Sequence, residues 1–182
     1  MVYGPTQWWY SWTGRAEDRD RDFVHPLGVP ANSLVQPPDL LLQLLQNEGA
    51  SPCTCSIMVR REVVQRAGRF EDSFKGLYED QVFCAKVCLG SAVFVSNTFS
   101  SRYRQHEDSA CSDAELTRRA RSARLRFLHW LEEYLSEQRV EDAEIWKALR
   151  RELWRSQHPW LERGLLRAQR LTGRTKGAPA SR

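Results

Sequence analysis

Long apolar runs are absent from this chain of 182 residues. Its most apolar stretch, DLLLQLL at 39–45, is far short of the roughly 20 residues a helix needs to cross a bilayer. The opening MVYGPTQWWYSW lacks the basic segment and following apolar run of a secretory leader. Cysteine is scarce: five residues, with no C-x-x-C pair. The four histidines, His25, His106, His129 and His158, do not fall at zinc-finger spacings. This usage excludes a disulfide scaffold and argues against structural zinc. Cys53 and Cys55 form C-x-C, Cys84 and Cys88 stand four apart, and Cys111 is alone. Small buried apolar residues in a reducing, cytoplasmic compartment are the expectation for most of them. Repeats and low-complexity tracts are also missing.

What is present belongs to a folded globular protein, with 41% hydrophobic and 27% charged residues. The length suffices for one domain with a real core and an appendage. The net charge of +4 is unevenly spread. From Ala114 onward there are 16 basic and 9 acidic residues, a net +7, which leaves −3 on the rest. A basic C-terminal third predicts contact with something anionic, such as membrane headgroups, nucleic acid or an acidic partner. Nucleic acid is disfavoured, because glutamates interleave the basic residues and no recognition-helix signature occurs.

Three stretches follow one another. Residues 1–50 carry aromatic and loop signals, then a short helix from about Asp39 with Gly49 past its end. Residues 51–113 read as α/β: a strand over CTCSIMV, a helical turn over RREVVQRAG closing at Gly68, a helix after Asp80 ending at Gly90, and a strand over SAVFVSN. RYRQHEDSACS reads as a polar loop. Residues 114–172 are read as a basic helical extension. Ala120, Ala123, Phe127, Trp130, Leu131, Tyr134 and Leu135 recur three and four apart, as do Ile145, Trp146, Leu149 and Leu153. Pro159 suits the start of a third helix striped by Leu161, Leu165 and Leu171. Residues 173–182 are expected to be a disordered tail.

Chemistry concentrates at Glu79 and Asp80. Two adjacent carboxylates in a helix's first turn satisfy free N–H groups and favour the macrodipole, so capping alone accounts for them. Their surroundings add a second reading. Arg60-Arg61, then AGRFEDSF from Ala67 to Phe74, then Tyr78-Glu79-Asp80, then Tyr103-Arg104-Gln105-His106 with Ser109 occur in this order. That series resembles the acceptor-side half of a family-2 glycosyltransferase with the GT-A-type fold, over roughly residues 51–113. VYGPTQWW and RLRFLHWLEEYL resemble segments of bacterial members. Arg69 departs from the family pattern, standing where a second glycine is usual, and a variant turn is expected there.

The resemblance implies a partial GT-A-type α/β domain, residues 1–113, followed by the helical extension. It implies inverting transfer from a nucleotide-sugar donor to a hydroxyl acceptor on a glycan or lipid-linked molecule. Asp80 would be the base, with Glu79 orienting the acceptor or the loop and Gln81 beside them as a substrate contact. Arg104 would face a phosphate, and His106 would join a divalent cation, Mn or Mg. The aromatic faces of Trp8, Trp9 and Trp12 suit sugar stacking, and core packing is the competing expectation for two of the three. In the family a strand ending in DxD precedes a segment like VYG, so the donor-binding half is expected to be missing and the chain to have little activity alone. Asp18-x-Asp20 and Asp20-x-Asp22 match DxD literally. They sit in a charged run rather than at the end of an apolar strand, and are read as a solvated loop. A position at the inner face of a membrane, through weak contact with anionic lipid, is compatible with lipid-linked acceptors. The alternative is a non-enzymatic module whose basic helices engage an anionic partner while Glu79 and Asp80 merely cap.

Overall fold

The most continuously buried helix among the described residues sets the architecture. The computed structural model describes residues 1–46, 51–99, 101–106 and 114–160, with side chains of the last segment from Ala120 onward. Helix α3, Glu79–Gly90, buries every residue from Val82 to Cys88. A helix buried on all faces must be enclosed, and this one lies among helices α1 (Asp39–Gln46), α2 (Arg61–Ala67) and α4 (Ala114–Glu137). Helix α5, Ala143–Gln157, packs on α4 and α1. Asp142 caps it, accepting from the backbone N–H groups of Glu144 and Ile145.

Two small sheets complete a mixed α/β structure. The first has the order β4-β6-β1-β5, from Ser33–Val35, Val93–Val95, Val2–Tyr3 and Ile57–Met58. Strand β1 runs parallel to β6 and antiparallel to β5. The second has the order β3-β2-β7, from Phe23–Val24, Thr6–Trp9 and Ser101–Arg104, with β2 and β7 parallel. Gly4 links the sheets. A Cβ there would stand 2.5 Å from the Thr98 carbonyl oxygen, a distance only glycine avoids.

One core cluster runs through both parts of the chain, joining Tyr3, Val93 and Val95 to Leu41, Val82, Leu128, Leu131 and Leu149. The residues recurring along α4 and α5 thus pack against the sheet and α3 as well as each other. The first sheet is apolar on its other face too. Leu34, Phe94, Val2 and Met58 are in mutual register across all four strands, and Leu34 and Met58 are 58% and 73% exposed.

Several expectations are corrected. CTCSIMV is a strand only at Ile57–Met58; Thr54–Ser56 is a 3-10 turn, closed by the Ser56 N–H and hydroxyl on the Cys53 carbonyl. The supposed loop RYRQ begins inside β7, because the parallel register with β2 uses its backbone groups. Cys84 and Cys88 are buried as expected, but Cys53 is half-buried and Cys55 exposed. The variant turn has a local cause. Gly68 takes the left-handed φ of 80°, whereas Arg69 lies outside that region and needs no glycine. The third helix's leucine stripe, the tail, Gly49 and Cys111 lie outside the described residues.

Lys86 fixes that turn. It is buried in α3 and donates to the Arg69 carbonyl oxygen at 3.1 Å while pairing with Glu71. A buried ammonium deprived of its counter-charge is costly. Glu71→Gln is therefore expected to lower unfolding stability by about 2 kcal/mol, measured by urea denaturation, with Lys86→Met costing less because it leaves no buried charge. Equal losses for the two variants would remove the ion pair from this account.

Candidate functional site

Tyr78 opens α3 in a left-handed conformation, φ 70°. This costs a non-glycine residue about 1–2 kcal/mol. Its side chain is held in return, stacked on Phe127 of α4 at 5.3 Å and hydrogen-bonded to Arg124. The geometry delivers Glu79 and Asp80 as the first two residues of the helix, both half-buried. Tyr78 occupies the N-cap position with no side-chain cap bond, while Asp80, inside the first turn, accepts from the adjacent Gln81 N–H at 2.7 Å. Glu79 Oε2 is buried without a hydrogen-bond partner among the described residues. Burial pushes the Asp80 carboxyl above the usual carboxylate range, and the charge of Glu79 adds to the rise.

Asp80 is close enough to the Cys53–Ser56 turn for its charge to act on the Cys53 thiol. That turn packs against β7. Cys53 also shares a small cavity with Trp8 and His25. Trp8 is the hub of an aromatic cluster, stacked on Phe23 at 5.6 Å and edge-on to His25 and Tyr103. Cys53 is therefore a neighbour of Trp8 through that cavity and of Asp80 through its charge.

The other expected site residues are dispersed. Strand alternation turns Trp9 to the opposite side of the sheet. There Arg102 and Arg104 lie over its ring at 5.2 and 5.6 Å, and Arg104 also lies over Trp12 at 5.7 Å. Trp8, Trp9 and Trp12 are outside the buried core clusters, so packing in the main core does not account for them. Gln81 lines a small cavity between helices, with Arg124 and Phe127. His106 is exposed just past β7. Among the described residues there is no group of three or more His, Cys, Asp or Glu placed to hold a metal ion.

The DxD-like run is not a solvated loop throughout, which corrects the sequence reading. Asp18 is buried, accepting from the Thr13 hydroxyl at 2.6 Å and from Arg21. Asp22 accepts from the Tyr10 and Ser11 N–H groups, the Ser11 hydroxyl and the Gln7 amide. These bonds, first that from the Ser11 N–H, hold Asp22 below its ordinary range. Both carboxylates organise residues 10–22 and have spent their lone pairs there. His25 and Cys53 were missed as cleft residues, because only tertiary packing brings them to Trp8.

No protein-family model, curated protein or solved structure matches the chain significantly. No described helix is long and apolar enough to cross a membrane.

The two kinds of aspartate predict opposite pH behaviour. A lowered pKa contributes stability above the unfolded-state value near 3.9 and loses it as pH falls through the folded value. A raised pKa works the other way, costing stability as pH rises from the unfolded to the folded value. At pH 7 Asp80→Asn is expected to raise the Tm, and Asp22→Asn to lower it. Thermal unfolding of both variants against the parent checks this; destabilisation by Asp80→Asn would show that its carboxylate is well served.

Proposed function

We propose that this chain is the acceptor-side part of a GT-A-type glycosyltransferase, with Asp80 as the base of an inverting transfer. The observation that carries the proposal is the half-buried Asp80 at the start of a buried helix, its proton affinity raised first by burial. It accepts from the Gln81 N–H and so serves the helix end, and a carboxylate placed in this way can also take a proton from an acceptor hydroxyl. A base needs a raised proton affinity and room for a hydroxyl. In the transfer, the acceptor oxygen attacks the anomeric carbon, its proton passes to Asp80, and the bond to the nucleoside diphosphate breaks. Glu79 holds a negative charge beside Asp80 and keeps its proton affinity high.

The uncovered row Leu34–Phe94–Val2–Met58 supports the half-domain part of the proposal. Four apolar side chains in register across a sheet are the kind of face another layer covers, and a donor-binding half would supply it. Nucleotide-sugar binding belongs to that half, and weak contact of the basic helices with lipid-linked acceptors fits the same scheme.

NMR titration with simple alkyl glycosides tests the acceptor site. The Trp8 indole and the Gln81 and Cys53 amides are expected to shift, and Asp80→Asn to weaken the response without unfolding the protein. A silent cleft, together with salt-steep binding to anionic vesicles or DNA, would favour the non-enzymatic module instead. Residues 1–182 alone are expected to turn over no nucleotide-sugar in a panel assay. Turnover abolished by Asp80→Asn would keep the base and overturn the half-domain part.

A further inference from the structure

The C-x-C pair is unused by this chemistry. Cys53 Sγ and Cys55 Sγ stand 3.1 Å apart, both as free thiols, inside ordinary non-bonded contact. We propose that Cys53 and Cys55 are a dithiol modification site that closes reversibly to an intramolecular disulfide in the turn ahead of β5.

The backbone already permits the closure. A disulfide needs Cα atoms within about 7 Å; two residues apart, with successive Cα atoms about 3.8 Å apart, these cannot be much further. The turn is held by the two bonds from Ser56 to the Cys53 carbonyl, and the sulfurs, 3.1 Å apart, have about 1 Å to close to reach the bonded distance of about 2.05 Å. Accessibility sets the order of events. Cys55 is exposed, whereas Cys53 is half-buried and its thiol is pushed up to about 11, first by burial. Cys84 and Cys88 lie buried in α3, shielded from a soluble oxidant.

With a small-molecule disulfide such as oxidised glutathione as oxidant, the Cys55 thiolate attacks one glutathione sulfur and expels one glutathione thiolate. Cys53 then gives its proton to water, attacks the Cys55 sulfur and expels the second. Two protein thiols are oxidised by two electrons, and one glutathione disulfide becomes two glutathione thiols. The product is a closed ring in the turn that packs on β7, one sulfur of which lines the Trp8 cavity. The site depends on the thiol geometry and not on the sugar-transfer proposal.

The test equilibrates the full chain with glutathione at graded oxidised-to-reduced ratios, then alkylates free thiols and maps them by mass spectrometry. The parent is expected to lose Cys53 and Cys55 together, with two hydrogens lost and no glutathione retained. Cys53→Ser should stop at a glutathione adduct on Cys55. Cys55→Ser should react at least about tenfold more slowly, since the remaining thiol is less exposed and less ionised. A stable adduct on the parent, a bridge to Cys84, Cys88, Cys111 or a second chain, or a pair still reduced at the most oxidising ratio would each overturn the proposal.

Discussion

The burial of α3 on every side is the constraint on which the rest depends. Seven consecutive residues without solvent demand a neighbour in each direction, and α1, α2, α4 and the first sheet are those neighbours. The one charge inside the run, Lys86, must find its partner in the loop between α2 and α3, which fixes the turn at Gly68. The two ends of the helix are the parts left near solvent, and Glu79 and Asp80 stand at the first of them. Their position follows from packing: the interior of the helix fixes where its acidic end emerges.

The C-terminal helices contribute to the same end. Arg124 of α4 bonds both Tyr78 and the buried Glu152 of α5, at 2.6 Å for the latter. Arg155 joins Glu152 from the next turn at 3.0 Å. A left-handed tyrosine is unfavourable by itself, and the α4–α5 pair holds it in place through one ring and one guanidinium. The basic excess of this region is thus partly internal to the fold. The carboxylates fall into two groups. Asp18, Asp22 and Glu152 accept several side-chain or backbone donors and act as staples, while Asp80 accepts from backbone N–H groups of its own helix turn and a buried Glu79 oxygen has no partner among the described residues.

Much of the helical architecture was legible because it rests on local signals. Gly68, Asp39 and the three-and-four spacing from Phe127 to Leu135 mark their elements by chain chemistry alone. The mixed α/β character was legible for the same reason. Strands were harder: β1 and β5 are two residues each, too short for alternation to register, and β7 is polar along one side. Motif order singled out the acid pair of the candidate site in advance, but not the neighbours that tertiary packing gives Trp8. Nothing near His25 or Cys53 in the chain points to Trp8, and the alternation of Trp8 and Trp9 becomes decisive only once β2 is known to be a strand. The DxD-like run shows the opposite failure, since its charge density hid the two aspartates that the loop consumes.

The central claim is that burial at the start of α3, with the charge of Glu79 beside it, raises the proton affinity of Asp80. Titrating its side-chain carboxyl carbon by NMR tests this most directly, in the parent and in Glu79→Gln. A midpoint above the ordinary aspartate value of about 3.9, falling when the Glu79 charge is removed, is the predicted result. A midpoint at or below that value, unmoved by Glu79→Gln, would mean that Asp80 is a well-served helix-end carboxylate, and would contradict the account.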